Sequence, residues 1–209
     1  MLLLRKRHKN APRGTKETDM NVDKKPVTFM ILAVLAILAG TLITTFIPLF
    51  IGTVNPSTKN VIPYTPLELE GRDIYIREGC NNCHTQTVRP LEFETKRYGS
   101  YSQLEDSAID RPHLWGSRRT GPDLARVGRK YPAAWHYMHM KSPQSMYAQS
   151  NMPSYSWLAD SKLDGRYTEK KMKVLGYPYS TGDLKALDGK TEMDALVAYL
   201  LRLGKELRP

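Results

Sequence analysis

Both cysteines of the 209-residue chain fall in one pentapeptide, Cys80-Asn81-Asn82-Cys83-His84. Two thiols three residues apart, followed at once by an imidazole, suit few chemistries. A structural zinc site needs four ligands, and there is no second cysteine pair. A thioredoxin-type dithiol needs a βαβ pattern that the sequence lacks. A plain Cys80–Cys83 disulfide is the weakest alternative. C-x-x-C-H is the attachment signature of c-type haem, so one covalently bound haem c is the expected cofactor. At the end of a helix, residues three and four apart project from one face. Both thiols can then add to the haem vinyl groups while His84 reaches the iron.

An electron-carrying iron needs a second axial ligand, Met or His. The candidates downstream are His113, His136, His139, Met138, Met140, Met146, Met152, Met172 and Met193. Met193 lies in the apolar stripe of the last helix and reads as core. Met138 and Met140 sit two apart and cannot both face one cofactor. Met152, in Asn151-Met152-Pro153-Ser154-Tyr155, is on an irregular segment from which a loop can deliver a thioether, and it is the expected ligand. A proximal histidine usually donates its second N–H to a carbonyl, and Pro122 in Gly121-Pro122-Asp123-Leu124 is a suitable acceptor. Arg118, Arg119 and Arg126 flank that turn and are candidates for haem propionates, because guanidinium grips carboxylate in a fork. Trp115 and Trp157 are expected against the macrocycle, over its pocket, or in the core.

The elements that must hold these groups are mainly helical. Thr65, Pro66 and Glu68 form a capping-box start, with Pro at the first helical position, for a helix running to the cysteines. Residues 85–132 read as loop, punctuated by glycine and proline. A short helix follows from Pro132 to Met140, stopped by Pro143. Residues 160–190 are mixed, with an amphipathic stretch at 168–175. Thr191 caps the last helix, where Met193, Leu196, Val197, Leu200 and Leu203 keep the helical period and Gly204 stops it. So much loop and only four Phe leave a thin core, which something other than side chains should fill.

Ahead of this domain, residues 27–51 contain no charge. As a helix they extend about 37 Å, enough to cross a bilayer. The run is too long for a signal peptide, and Gly52-Thr53-Val54-Asn55-Pro56 is a poor cleavage site. An uncleaved transmembrane anchor is therefore expected, while a mean hydropathy of −0.47 over the whole chain excludes a polytopic membrane protein. Residues 1–26 carry eight basic and three acidic side chains, which keeps that tail cytoplasmic. The expected organisation is a basic tail (1–26), an anchor (27–51), a linker (52–64) and a mono-haem domain outside the cytoplasmic membrane (65–209). Half of the +10 net charge lies in the tail. The remainder is too dispersed to indicate a nucleic-acid partner.

The order C-x-x-C-H, G-P-x-L, M-P and a terminal helix with Tyr199-Leu200 resembles class I cytochrome c domains. A narrower resemblance runs from Tyr64 to Leu158. Tyr64-Thr65-Pro66-Leu67-Glu68-Leu69, Gly71 through Cys80, Arg97-Tyr98-Gly99, Trp115-Gly116-Ser117, Arg119 through Gly128, Asn151-Met152-Pro153 and Trp157-Leu158 are similar to the mono-haem subunit of cbb3-type cytochrome c oxidases. Asp110-Arg111-Pro112-His113 and Gly128-Arg129 depart from that pattern without touching a proposed iron ligand.

The resemblance implies a non-catalytic subunit of a bacterial inner-membrane oxidase, with its haem domain in the periplasm. It implies electrons taken from a di-haem c subunit or a soluble cytochrome c. They pass towards the haem–copper catalytic subunit, where the complex reduces oxygen and pumps protons. Two other functions compete: a membrane-anchored shuttle working alone, and a haem sensor or peroxidase with an open iron position.

Overall fold

The computed structural model describes residues 24–51 and 61–205. The basic tail before residue 24 and most of the linker therefore lie outside the described residues. The described part is helical. It contains no strand, only an isolated bridge between Lys162 and Thr191. The chain divides into two units, Met1–Ile51 and Gly52–Pro209.

In the first unit a single 25-residue helix, α1 (Pro26–Phe50), is long and apolar enough to cross a membrane. None of its residues is buried by other parts of the protein. Over Leu42–Phe46 it widens to a π turn, and the Ile47 N–H reaches back to Leu42 O. Pro48 explains this locally, since it has no amide to donate and its ring crowds the carbonyl one turn back. The Thr44 hydroxyl donates to Gly40 O at 2.7 Å in the same turn.

The second unit is built on α2 (Pro66–Arg77) and the terminal helix α8 (Glu192–Arg202). Both begin with a complete capping box. Thr65 N–H donates to Glu68 Oε2 at 2.9 Å, and Thr191 N–H to Asp194 Oδ2 at 2.8 Å. Each of these bonds satisfies an amide that the helix itself leaves without a partner. The two helices meet at Gly71, where an added Cβ would lie 1.9 Å from Ala195 O. This contact brings Leu69, Ile74, Tyr75, Leu196, Tyr199 and Leu200 into one core.

Between these helices lie α3 (Glu92–Tyr98), α4 (Ala133–Lys141), α5 (Pro143–Met146), α6 (Thr168–Leu175) and α7 (Thr181–Lys185). α4 and α6 fall where the sequence places them. α3 stands in a stretch expected to be loop. It is seven residues long, carries a Glu92–Lys96 ion pair of 2.6 Å, and ends where Gly99 takes φ 95°. α6 is fastened to α2 by polar contacts. Thr168 Oγ1 donates to Glu70 at 2.6 Å, and Lys171 Nζ lies 2.8 Å from Glu70 and 2.7 Å from Asp73.

A buried polar series runs through this core. Tyr75 donates its hydroxyl proton to His84 O at 2.9 Å, and Tyr199 exchanges hydrogen bonds with the Gln86 amide at 3.0 Å. Tyr64 and Arg72 both donate to Asp110 Oδ1, at 2.9 and 2.8 Å. The rings of Tyr64 and Tyr75 lie 5.9 and 5.4 Å from that of Tyr199. Burial raises the pKa of all three phenols, so each stays a neutral donor.

Candidate functional site

α2 stops beside the cysteines because Gly79 enters the left-handed region at φ 70°, a conformation in which glycine carries no Cβ penalty. A single tight turn, Cys80–Asn82, follows. It closes with the amides of Cys83 and His84 on Cys80 O, at 3.2 and 2.9 Å. Both thiols are free. Cys80 is half-buried against the core, and Cys83 is exposed. Burial, reinforced by the negative charge of Glu78, pushes the Cys80 thiol up to about 12. A reactive dithiol needs the opposite shift, so this environment does not suit a redox disulfide.

The His84 ring is held from behind. Its Nδ1 lies 2.9 Å from Pro122 O. A carbonyl can only accept, so Nδ1 carries the proton and Nε2 presents its lone pair. Burial lowers the His84 pKa, partly offset by that hydrogen bond. The imidazole therefore stays neutral and able to coordinate. Gly121 is the floor of the cradle, since a Cβ there would fall 2.2 Å from His84 Cε1. The Gly121 amide also donates to Cys83 O at 3.1 Å, and that of Leu124 to Thr85 O at 2.9 Å. The turn is thus stitched to the segment it supports.

The candidates for the second ligand separate by environment. Met172 and Met193 are fully buried in the core, Met140 is buried, and Met138 is exposed. His113 stacks on Trp115 at 4.5 Å. His136 is buried edge-on to the rings of Tyr131 and Trp135. Met152 is half-buried at the margin of the core that also contacts Cys80. Its segment is lashed to the preceding helices. Gln144 Nε2 donates to Met152 O at 2.6 Å, Ser154 Oγ to Lys141 O at 2.6 Å, and the Tyr155 amide to Met140 O at 2.8 Å. Tyr155 and Cys80 pack against the same core, and burial, and next the thiols of Cys80 and Cys83, raise the Tyr155 pKa. Burial and then the charge of His84 lower that of His139 on α4. The Met152 loop and the cysteine turn therefore border the same region.

The three arginines have different settings. Arg119 donates to Thr87 O at 3.2 Å and to Gly116 O, and approaches Glu94 at 3.3 Å. Arg126 Nη2 donates to Ser100 O at 2.6 Å, while its Nε is buried without a partner. Arg118 is exposed. Glu94 was not foreseen from the sequence. Its side chain is 1% exposed and faces both Arg89 and Arg119. Burial works against its ionisation, yet these hydrogen bonds outweigh it and hold the carboxyl at about 2. The buried tyrosines and Gly71 stand in the strings that carry the resemblance, but their contacts were not foreseen. Nothing local marks them, because their partners lie far along the chain.

A surface cavity of about 620 Å³ lies between Tyr64, Tyr101, Asp110, Trp115 and Arg126. It contains none of Cys80, Cys83, His84 and Met152, so it is a separate feature. Among the described residues no three His, Cys, Asp or Glu side chains gather into a cage for a bare ion. One neutral imidazole and one thioether, with two thiols beside them that can bond a porphyrin's vinyl groups, fit an iron whose remaining ligands come from a macrocycle.

Helical fold, crossing glycine and cradled C-x-x-C-H turn together define a cytochrome c-like domain on a chain that also carries one membrane-length helix. The chain belongs to the FixO family: a family model described as "Cytochrome C oxidase, mono-heme subunit/FixO" matches residues 19–189. That family is subunit II of cbb3-type oxidases and implies one haem and a role in electron transport. A search of curated proteins finds no significant match to this chain.

Proposed function

We propose that this subunit is a membrane-anchored c-type cytochrome that relays electrons to the haem–copper catalytic subunit of its oxidase. Cys80 and Cys83 hold one haem through thioethers, and His84 and Met152 are the axial ligands. The observation that carries this reading is the 2.9 Å contact of His84 Nδ1 with Pro122 O. It fixes the tautomer in which Nε2 faces outward to bind iron.

The haem, when bound, supplies reversible one-electron chemistry. This chain's residues do the rest. Cys80 and Cys83 tether the cofactor at the end of α2. The Gly121–Pro122 turn orients His84 and raises its basicity as a ligand. The braced Met152 loop offers a thioether, which favours the reduced state and a higher potential. His84 and Met152 together would hold the iron from the protein and leave oxygen no place to bind, which favours relay over sensing or peroxidase chemistry. The basic tail supports an orientation with the amino terminus in the cytoplasm and the haem domain periplasmic, at the bacterial inner membrane. Electrons arrive from a di-haem c subunit or a soluble cytochrome c. Proton pumping belongs to the whole complex.

Purification in mild detergent, followed by pyridine haemochrome analysis, tests the proposal. A c-type spectrum that stays with the denatured polypeptide, together with haem b and copper in the same particle, is the expected result. A haem that extracts into acid acetone, or a haem protein that runs alone, contradicts it.

A further inference from the structure

The turn that carries Pro122 also carries an acid, Asp123, whose side chain is only 6% exposed. Its Oδ1 accepts the amide of Ala125 at 2.8 Å, and its Oδ2 accepts that of Thr87 at 3.1 Å. Both partners are N–H donors, so both side-chain oxygens must accept. Only a carboxylate of this size offers that, since asparagine would face one of the two amides with its own N–H groups. Burial raises the pKa of Asp123, although the Ala125 amide, the charge of Arg119 and the Thr87 amide oppose the shift. The fold thus keeps an acidic group in a site that disfavours its charge.

The place of these bonds gives the reason. The segment after the cysteine turn is joined to the Pro122 turn by two backbone bonds, Gly121 N–H to Cys83 O at 3.1 Å and Leu124 N–H to Thr85 O at 2.9 Å. Neither segment is a strand, so no ladder extends the pairing. The Asp123 side chain adds the next bond. Arg119 grips the same residue from its other side, with Nη2 donating to Thr87 O at 3.2 Å. Thr87 is therefore fastened through both its N–H and its C=O to residues that bracket Pro122. His84 lies in the segment so held, and Pro122 O, 2.9 Å from His84 Nδ1, lies in the turn that holds it. Slippage between the two would lengthen that contact.

We propose that Asp123 is a positioning residue for the haem ligand: by clamping Thr87 to the Pro122 turn it sets the strength of the bond from His84 Nδ1–H to Pro122 O, and with it the electron density that His84 can give the iron. The inference rests on the haem assignment above. A firm bond to the carbonyl makes the imidazole a stronger donor, and a stronger donor favours the oxidised iron. Asp123 therefore holds the potential down, against the upward pull of the thioether.

The bond to Ala125, two residues on, is a local turn that asparagine also makes, so Asp123→Asn gives up Thr87. It would be made in the full chain, matured with its haem and purified in detergent. Asp123→Ser, which keeps one acceptor oxygen and brings no N–H against an amide, stands in if the first variant does not mature. Glu70→Gln is the control, because Glu70 is another buried carboxylate whose partners, Thr168 and Lys171, lie on α6. Exchange of the His84 Nδ1 proton in deuterated water would be followed by NMR of the reduced, histidine-labelled chain, together with the midpoint potential and the denaturation midpoint.

A lost hydrogen bond changes a local opening equilibrium about tenfold, so the Asp123 variants should exchange the Nδ1 proton about tenfold faster. Their potential should shift upward with haem still covalently bound. Glu70→Gln should leave exchange and potential unchanged, whatever it does to stability. A higher potential with unchanged exchange would show that only the lost charge is felt, and overturns the proposal. Faster exchange at an unchanged potential overturns it too, as does a lower denaturation midpoint with neither changed, the mark of a brace that the iron does not sense. So does an Nδ1 proton already unprotected in the unmodified chain. Absence of covalent haem from the unmodified chain would instead be a failure of the haem assignment.

Discussion

His84 and Pro122, 38 residues apart in sequence, are joined through a 2.9 Å contact between the imidazole Nδ1 and the backbone carbonyl. The neighbouring glycine makes that approach possible. Gly121→Ala would place a methyl 2.2 Å from His84 Cε1, and the ring can move away only by giving up its contact with the Pro122 carbonyl. The expected result is a displaced imidazole, a partly high-spin ferric spectrum and a lower potential, with stability reduced by about 1–3 kcal/mol from overpacking. Electronic spectra and a redox titration of the purified variant check this.

Met152 sits on a braced loop at the margin of the core. Met152→Ala should leave haem attached, since the thioether bonds do not depend on it. It should lower the potential and abolish the ferric sulfur–iron band near the red edge. A variant with the same potential and band as the parent would place the sixth ligand elsewhere, with His139 next in line because it lies within electrostatic reach of His84.

The crossing of α2 and α8 predicts a purely structural effect. At Gly71 a Cβ would meet backbone, Ala195 O at 1.9 Å, and not a movable side chain. Gly71→Ala forces the helices apart and should cost at least about 2 kcal/mol. The midpoint of chemical denaturation should fall at an unchanged m-value.

Glu94 predicts acid sensitivity. Its folded pKa of about 2 lies below the ordinary value of 4.5. Its stabilisation is thus fully present above about pH 4.5 and is lost as pH falls towards 2. Arg119→Ala removes one of its two cationic partners. The variant should be weaker by about 2 kcal/mol near neutrality and should lose less on acidification than the parent. Urea melts at a series of pH values measure both effects.

What could be read in advance was local. Thr65 and Thr191 announce their helices because a cap needs only a side chain and an amide three residues on. The pentapeptide announces its cofactor because the chemistry is contained in five residues. Gly71 gives no such sign, since its partner Ala195 is more than a hundred residues away. Tyr64, Tyr75 and Tyr199 stand in strings that carry the family resemblance, but their mutual packing shows only once folding brings them together. α3 was hidden by its brevity and by Pro90 and Gly99 on either side. Arg119 has the right type for a propionate, but no string of letters reveals that Glu94 and the Gly116 and Thr87 carbonyls take its donors.

The close passage of α2 over α8 also bears on folding speed. Its contacts join Gly71 to Ala195, more than a hundred positions apart, so a long loop must close before packing repays the lost chain entropy. This domain should therefore assemble more slowly than a helical fold built on neighbouring elements alone.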